Sequence, residues 1–399
     1  MFRAVQFYIA FVCFSVFFMA CHSNTETVNA GPRFHDEPGK LITPTRLVYA
    51  DTTTPENKRI IKSLDSFYRI QVRAGFNGSV LIGQQGKILY ERYFGHANRE
   101  TGIKLQPETS IQLASISKTF TATAVLFLHQ HNYLSIDDPV RTYLPEFPYP
   151  DVTVRMLLNH RSGVLDYQKW PSGYIRSQTA PLSNEEMLNI MARHKPRLEF
   201  KPDTRFKYSN SNYALLANII ERVTEMKYGD FMRSYIFEPL GMGNTFVYYP
   251  KEGLPSNASY NYRHNWARWP NNYADGVMGD KGIFSTPRDM YRWDQSFYQN
   301  KLLKPEIVEL AYMPCSFEKP GMRNYGLGWR MLCYPSGNQV IYHNGWWHGN
   351  NTVFYRFIKE NMTIIVLGNK YHNNIYKQAK VLYALTKGVP VDEGFDSEE

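Results

Sequence analysis

Apolar positions along this chain switch between helical and strand-like spacing, and the switches mark out its elements. Between residues 56 and 72 the apolar side chains of Ile60, Ile61, Leu64, Phe67 and Tyr68 recur at helical intervals, which predicts an amphipathic helix. Two short β-prone runs follow, over residues 78–83 and 87–93. Gln84-Gln85-Gly86 lies between them, so they read as a hairpin. A second helix is predicted from about Ser117 to His131, carrying Ala122, Val125, Leu126 and Leu128, with Asn132 as its cap. Ser183 before Asn184-Glu185-Glu186 is a capped helix start. Further helices are expected over residues 213–223 and 288–298. Residues 260–280 break the pattern with an aromatic, glycine-containing loop, and long loops in compact domains are often functional. Near the C-terminus, residues 325–334, 339–342, 351–358 and 362–367 read as consecutive strands, with Asn361 in a turn. A helix over 376–386 closes the series. No internal repeat is evident.

The two ends differ from this body. Met1-Phe2-Arg3 precedes an apolar run from Ala4 to Met19, which looks like a secretion signal and is short for a membrane span. Ala20-Cys21 resembles a bacterial lipobox cut before Cys21, with Phe18 standing where leucine is usual. The expected division is a lipoprotein-type signal over residues 1–20, a tether over 21–50, one catalytic domain over 51–388, and an acidic tail over 389–399. Cys21 is the expected lipidation site. An exported, membrane-anchored lipoprotein of the cell envelope follows from this, and a plain secreted protein is the alternative.

Composition narrows the class. The chain has 399 residues, 43% of them hydrophobic, enough for one large domain or two intertwined ones. Its formal charge is +9, yet no long Lys/Arg run or nucleic-acid motif occurs, so the charge reads as spread and solvated, with no nucleic-acid partner. Cysteine and histidine spacing suggests no metal site, and no cofactor is expected. Cys315 and Cys333 could form a disulfide in an exported chain or remain two buried thiols.

The candidate chemistry starts at Ser115-Ile116-Ser117-Lys118, where an apolar helix opens. A serine hydroxyl needs a base or a field to become a nucleophile. Positions i and i+3 share a helix face, and a helix N-terminus favours a developing alkoxide. Two later stretches join this one: Tyr208-Ser209-Asn210, and His343-Asn344-Gly345 after the strand-like run Gln339-Val340-Ile341-Tyr342. Taken singly, each has an ordinary structural explanation: an N-cap serine, a core tyrosine, a turn asparagine, a half-buried strand histidine, and Trp346-Trp347 as core filler. No Gly-x-Ser-x-Gly elbow occurs, which argues against an α/β-hydrolase.

In order and spacing the three stretches resemble the serine β-lactamase and penicillin-binding-protein superfamily, with its Ser-x-x-Lys, Tyr-x-Asn and Lys-Thr-Gly or His-x-Gly elements. The branches most similar are class C β-lactamases, DD-peptidases, D-aminopeptidases and lactamase-fold esterases. The resemblance covers roughly residues 76–385. It implies an α/β (α+β) fold: an antiparallel sheet flanked by helices from both chain ends, with a mostly helical lobe inserted. It also implies an acyl-enzyme on Ser115, with Lys118 and Tyr208 as the basic and acidic partners; which of them is the base stays open. A lysine-stabilised Tyr208 phenolate of lowered pKa is one form of that expectation. Asn210 would bind a substrate amide and help position Lys118. His343 would bond to Tyr208 or to a substrate carboxylate. Gly345 would keep the strand clear where substrate lies, and the Trp346 backbone N–H would join that of Ser115 in an oxyanion hole.

The implied substrate is a small molecule or peptide, an amide or ester such as a D-amino-acid-containing envelope peptide. A carboxylesterase, a true β-lactamase and a non-catalytic wall-peptide binder are the alternatives. Histidine in place of lysine speaks against recognition of a penicillin-type carboxylate.

Overall fold

The computed structural model describes residues 42–391. The signal segment, Cys21 and nearly all of the acidic tail lie outside the described residues. Seven strands form one antiparallel sheet: β1 (Gly78–Gln84), β2 (Lys87–Phe94), β3 (Arg323–Tyr325), β4 (Arg330–Cys333), β5 (Gln339–Trp347), β6 (Asn350–Phe357) and β7 (Met362–Gly368). Their spatial order is β2-β1-β7-β6-β5-β4-β3. The chain ends therefore meet at the β1–β7 pair, in register from Gly78 opposite Gly368 to Gln84 opposite Met362. The architecture is the expected mixed one, with a helical insertion between β2 and β3.

Helices cover both faces. α1 (Pro55–Arg73) starts with the Thr54 hydroxyl accepting from the Asn57 N–H, with Pro55 in its first turn, and it buries Ile60, Leu64 and Tyr68. α6 (Ile375–Lys387) lies beside it and ends at Gly388, whose φ of 70° suits a left-handed cap. These two helices and one sheet face enclose a core that includes Val80, Ile82, Val353, Tyr355, Ile364 and Leu382. The other face meets the inserted lobe: α2 (Ser117–Gln130), α3 (Asn184–His194), α4 (Asn210–Thr224) and α5 (Pro287–Tyr298). Here Phe120 stacks on Trp293 at a centroid distance of 4.1 Å. Ser183 and Glu186 form the predicted capping box of α3.

Four expectations change in detail. The run over 325–334 is a hairpin, because Gly326 and Gly328 turn the chain between β3 and β4. Gly328 has φ +91°, and a Cβ there would lie 2.2 Å from Ala122 Cβ. The strand after Gln339 runs on to Trp347, so His343, Gly345 and Trp346 are strand residues. Asn210, expected before its helix, is the first residue of α4; its N–H is capped by Asp166 Oδ2 at 3.0 Å. At the near end of the proposed tether, the Ala50 N–H donates to Ile88 O and the Ile88 N–H to Val48 O, so this stretch pairs with β2.

Cys315 and Cys333 are free, half-buried thiols. Among the described residues no helix is long and apolar enough to cross a membrane, and no group of three or more metal-ligating side chains is found.

One buried ion pair ties the two layers together. Arg356 of β6, 1% exposed, donates from Nε to Asp294 Oδ1 of α5 at 2.6 Å. Removing one partner strands a buried charge, which costs about 3–5 kcal/mol. Asp294→Ala should therefore lower the urea midpoint of unfolding by that equivalent; a midpoint within error of the native protein would show that the pair does not hold the layers.

Candidate active site

Ser115 sits in a 3-10 turn, Ala114–Ile116, that leads directly into α2. Ala114 has φ +51°, a left-handed conformation that a non-glycine residue adopts at a cost of roughly 1 kcal/mol. Such strain persists where the surroundings hold it in place. Here the holder is β5. A Cβ on Gly345 would lie 2.2 Å from Leu113 O, 2.2 Å from Thr352 Oγ1 and 3.1 Å from Ala114 Cβ. Gly345, which also lines the cleft, thus admits the nucleophile turn against β5, because a Cβ there would point at that turn.

Lys118 is fully buried one helical turn beyond Ser115. Its Nζ lies 3.1 Å from Ser115 Oγ, 2.8 Å from Asn210 Oδ1 and 2.7 Å from the Asp280 carbonyl. The Asn210 amide is oriented by Asp166, whose Oδ2 accepts from Nδ2 at 3.0 Å, so Oδ1 faces the lysine. Burial pushes the Lys118 amine down to about 8, against a smaller opposing pull from the charges of Asp280 and Asp166. The Asn210 and Asp280 oxygens are pure acceptors. A neutral amine gives them its two hydrogens and turns its lone pair to the Ser115 hydroxyl.

Tyr208 completes the group. Its hydroxyl donates to Ser115 Oγ at 2.9 Å. Burial raises the phenol above its ordinary pKa, and the charge of Arg330 and the Ser115 contact lower it less. Burial thus favours the neutral phenol over the phenolate. Lys118 Nζ lies over the Tyr208 ring, 4.9 Å from its centroid. His160 supports the ring from behind, with centroids 4.4 Å apart, and its Nδ1 accepts from the Ser209 N–H at 3.3 Å.

His343 is near Tyr208 but does not bond to it or face the cleft. The ring is fully buried. Nδ1 donates to Asn344 O at 2.7 Å, and Nε2 stands 3.4 Å from the Tyr325 hydroxyl. Burial, and then the charges of Arg330 and Lys118, hold it well below its usual range, so it is a neutral imidazole. The role of meeting a substrate carboxylate does not fit a buried neutral ring. A cation at the cleft wall is instead Arg330 of β4, whose guanidinium carbon lies 5.4 Å from the Tyr208 ring centre.

The cleft has a volume of about 640 Å³ and opens onto Ser115, Tyr208, Asn210, Arg330 and Trp346. β4 pairs with β5 only over Gln339–Tyr342. Beyond that point β5 presents His343–Trp347 as an edge, the arrangement that receives an extended substrate as an added strand. Trp346 is 60% exposed, so it is not core filler. At the far wall, Asp275 accepts from Trp347 Nε1 at 2.7 Å and meets His348 Nε2 at 2.9 Å.

Asp166 and Arg330 were not singled out in the sequence, and Asp280 and Lys281 stood out there only as part of the turn that ends the aromatic loop. Lys281 is 3% exposed and donates to Asp280 Oδ2 at 3.1 Å beneath the cleft. For Arg330 a signal existed: a lone charge within the apolar run Leu327-Gly328-Trp329-Arg330-Met331-Leu332.

A serine, a buried lysine and a tyrosine converging between a sheet and a helical lobe define the class of acyl-enzyme serine hydrolases. The chain belongs to the Beta-lactamase family, whose model matches residues 71–386. Family members are serine hydrolases that work through acyl-enzyme intermediates, and this chain is such an enzyme. It is 32% identical over 354 residues to "Penicillin-binding protein 4*" of Bacillus subtilis, covering 84% of this chain and 78% of that protein. It is 27% identical to "Teichoic acid D-alanine hydrolase" of Staphylococcus aureus, covering 93% and 90%. Among solved structures, a penicillin-binding protein from Bacillus halodurans superposes with a TM-score of 0.70 at 21% identity. That match covers 79% of this chain and 98% of the other.

A methyl group at position 345 would meet backbone rather than a flexible side chain, and overpacking of this kind costs about 1–3 kcal/mol. Gly345→Ala should slow the labelling of Ser115 by a fluorophosphonate roughly tenfold or more, the rate equivalent of that energy. An unchanged labelling rate would mean that the turn does not depend on this contact.

Proposed function

We propose that this protein hydrolyses D-amino-acyl amides or esters of the cell envelope, with Ser115 as nucleophile, Lys118 as base and Tyr208 as acid. The observation that carries this reading is the placement of Ser115 Oγ between a depressed amine at 3.1 Å and a protonated phenol at 2.9 Å. Two titratable groups whose surroundings drive their pKa values apart mark an acid–base pair. The names of the relatives, a penicillin-binding protein and a D-alanine hydrolase, support the substrate class. The envelope location draws on those same names, and the lipid anchor at Cys21 on the sequence.

In the proposed reaction Ser115 Oγ bonds to the substrate carbonyl carbon while its proton passes to neutral Lys118. The oxyanion is held by the backbone N–H groups of Ser115 and Trp346. The bond to the leaving oxygen or nitrogen then breaks as Tyr208 gives that atom its proton, and the proton held by Lys118 restores the phenol. Water repeats the sequence in reverse to release the acid. Asn210 keeps Lys118 in place throughout and offers its remaining amide hydrogen to the substrate.

Roughly one Lys118 in ten is neutral at pH 7 if the amine titrates near 8. The neutral form grows as pH rises, so acylation should speed up about tenfold per unit below pH 8 and level off above it. A stopped-flow acylation rate that is flat from pH 6 to 9 would remove Lys118 as base. Tyr208→Phe should lower the rate by about 10²-fold or more.

Intact-mass spectrometry of the full chain with a penicillin, against Ser115→Ala, tests the nucleophile and the substrate branch together. An adduct confined to the native serine supports a penicillin-binding, DD-peptidase-like enzyme. Consumption of the penicillin without an adduct turns the reading to a β-lactamase, and an intact penicillin to an esterase or aminopeptidase. A Ser115→Ala protein as active as the native one on D-alanyl esters would end the serine mechanism.

A further inference from the structure

The aromatic loop that precedes Asp280 is pinned at both ends and grips the strand beside Ser115 in between. Near its start the Tyr262 N–H donates to Asn369 O at 2.9 Å, just past β7. Near its end the Met278 N–H donates to Asn184 Oδ1 of α3 at 2.7 Å, and Asn184 Nδ2 donates to Met278 O at 2.9 Å. Between these fixed points lies the 3-10 turn Tyr273–Gly276, which carries Asp275.

Asp275 is 6% exposed, and its two oxygens collect donors from two parts of the chain. Oδ2 accepts from the Asn272 N–H at 2.6 Å, which closes the loop's own capping box. Oδ1 accepts from Trp347 Nε1 at 2.7 Å, and Oδ2 meets His348 Nε2 at 2.9 Å. Burial acts to raise this carboxyl. The contacts with His348, Asn272 and Trp347 outweigh it and hold the group below its ordinary pKa, so it is an ionised acceptor.

The residues it holds belong to the turn between β5 and β6. Trp347 pairs with Asn350, so the connection is His348-Gly349. A two-residue turn with positive φ at its first position ordinarily has glycine there, and here His348 takes φ +53°. Such a conformation persists where the surroundings hold it. Gly349 faces the same loop: its N–H donates to Asn261 Oδ1 at 3.1 Å, and a Cβ on it would lie 2.3 Å from Tyr262 O. The His348 carbonyl in turn accepts from Trp346 Nε1 at 3.2 Å, which ties down the residue whose backbone N–H meets the oxyanion in the proposed reaction. We propose that Asp275 is a positioning residue for the oxyanion hole: through Trp347 and His348 it locks the end of β5, and with it the Trp346 N–H, where negative charge develops. The proposal rests on the serine reading for what the Trp346 N–H does, and on the contacts alone for the clamp.

Hydrogen exchange measures the clamp without any substrate. Asp275→Asn keeps the shape of the side chain but replaces one acceptor oxygen with a donor, so the hydrogens it now collects compete for a single oxygen. In the full chain this variant should exchange the amides of residues 343–350 roughly tenfold faster or more, while β1 and β7 keep their native rates and the melting temperature stays within a few degrees. His348→Asn reaches the same lock from the hairpin side. Asparagine tolerates the left-handed backbone but is too short to span to Asp275, so it should loosen the same residues. Native exchange across 343–350 in both variants would overturn the proposal. So would faster exchange spread over the whole sheet, which marks a general loss of stability.

Methylboronic acid then reads the oxyanion hole itself. Its boron takes a lone pair from Ser115 Oγ, and one oxygen of the tetrahedral adduct lies where the oxyanion would form. A shift of about 1 Å in a positioning group can cost about 10²-fold in rate. The Ki should therefore rise roughly tenfold or more in Asp275→Asn, and kcat for a D-alanyl ester should fall by a similar factor with KM little changed, the mark of an interaction made only in the transition state. A lowered kcat with an unchanged Ki would contradict the proposal, as would a raised KM at native kcat. Failure of the native protein both to bind the boronic acid and to turn over the ester would count against the serine hydrolase reading, and the exchange measurement would then decide the clamp by itself.

Discussion

Burial of one amine governs the site. Lys118 reaches Ser115 from a position without solvent, held by Asn210 and by the Asp280 carbonyl, and the loss of hydration draws it down to about 8. Every neighbouring arrangement serves that placement. Asp166 orients the Asn210 amide and caps α4, so one carboxylate fixes both the helix start and the lysine's partner. Gly279 precedes Asp280 at φ +93°, and a Cβ there would lie 2.3 Å from the Tyr213 carbonyl. That turn can therefore press against α4 and aim its carbonyl at Nζ. The same burial raises Tyr208, so one environment produces a base and an acid at physiological pH.

The sheet supplies the rigidity. β1 and β7, from opposite ends of the chain, pair along their whole length, and β5 presses the Ser115 turn through Gly345. The inserted lobe contributes α2, α4 and the Asp280 turn, so the catalytic group exists only where the two layers meet. Sites between packed layers are a common solution because each layer can hold its side chains independently of the other.

Much of this was legible in sequence because it is periodic or carried by a local motif. The α1 stripe of Ile60, Leu64 and Tyr68, the β1–β2 hairpin and the Ser183 capping box all follow from spacing and capping chemistry. Ser115, Lys118, Tyr208 and Asn210 meet as their motifs suggest. What was missed depends on tertiary placement. Whether His343 faces solvent or core is decided by the packing of Tyr325 and Asn344 around it, which no local pattern encodes. Arg330 gains meaning only once the Gly326 and Gly328 turn folds β4 back against Tyr208. The direction of the Tyr208 shift likewise follows from the burial of the phenol in the folded cleft, which spacing arguments do not reach.

The depressed amine is the claim on which the account turns, and it can be observed without any substrate. Heteronuclear NMR of protein carrying ¹³C at lysine Cε, with Lys118→Met to assign the resonance, follows the ionisation of this one side chain. The account predicts a midpoint near 8, well under the ordinary lysine value. A midpoint at the ordinary value of about 10.4 or higher would show a permanently charged lysine and would contradict its role as the base.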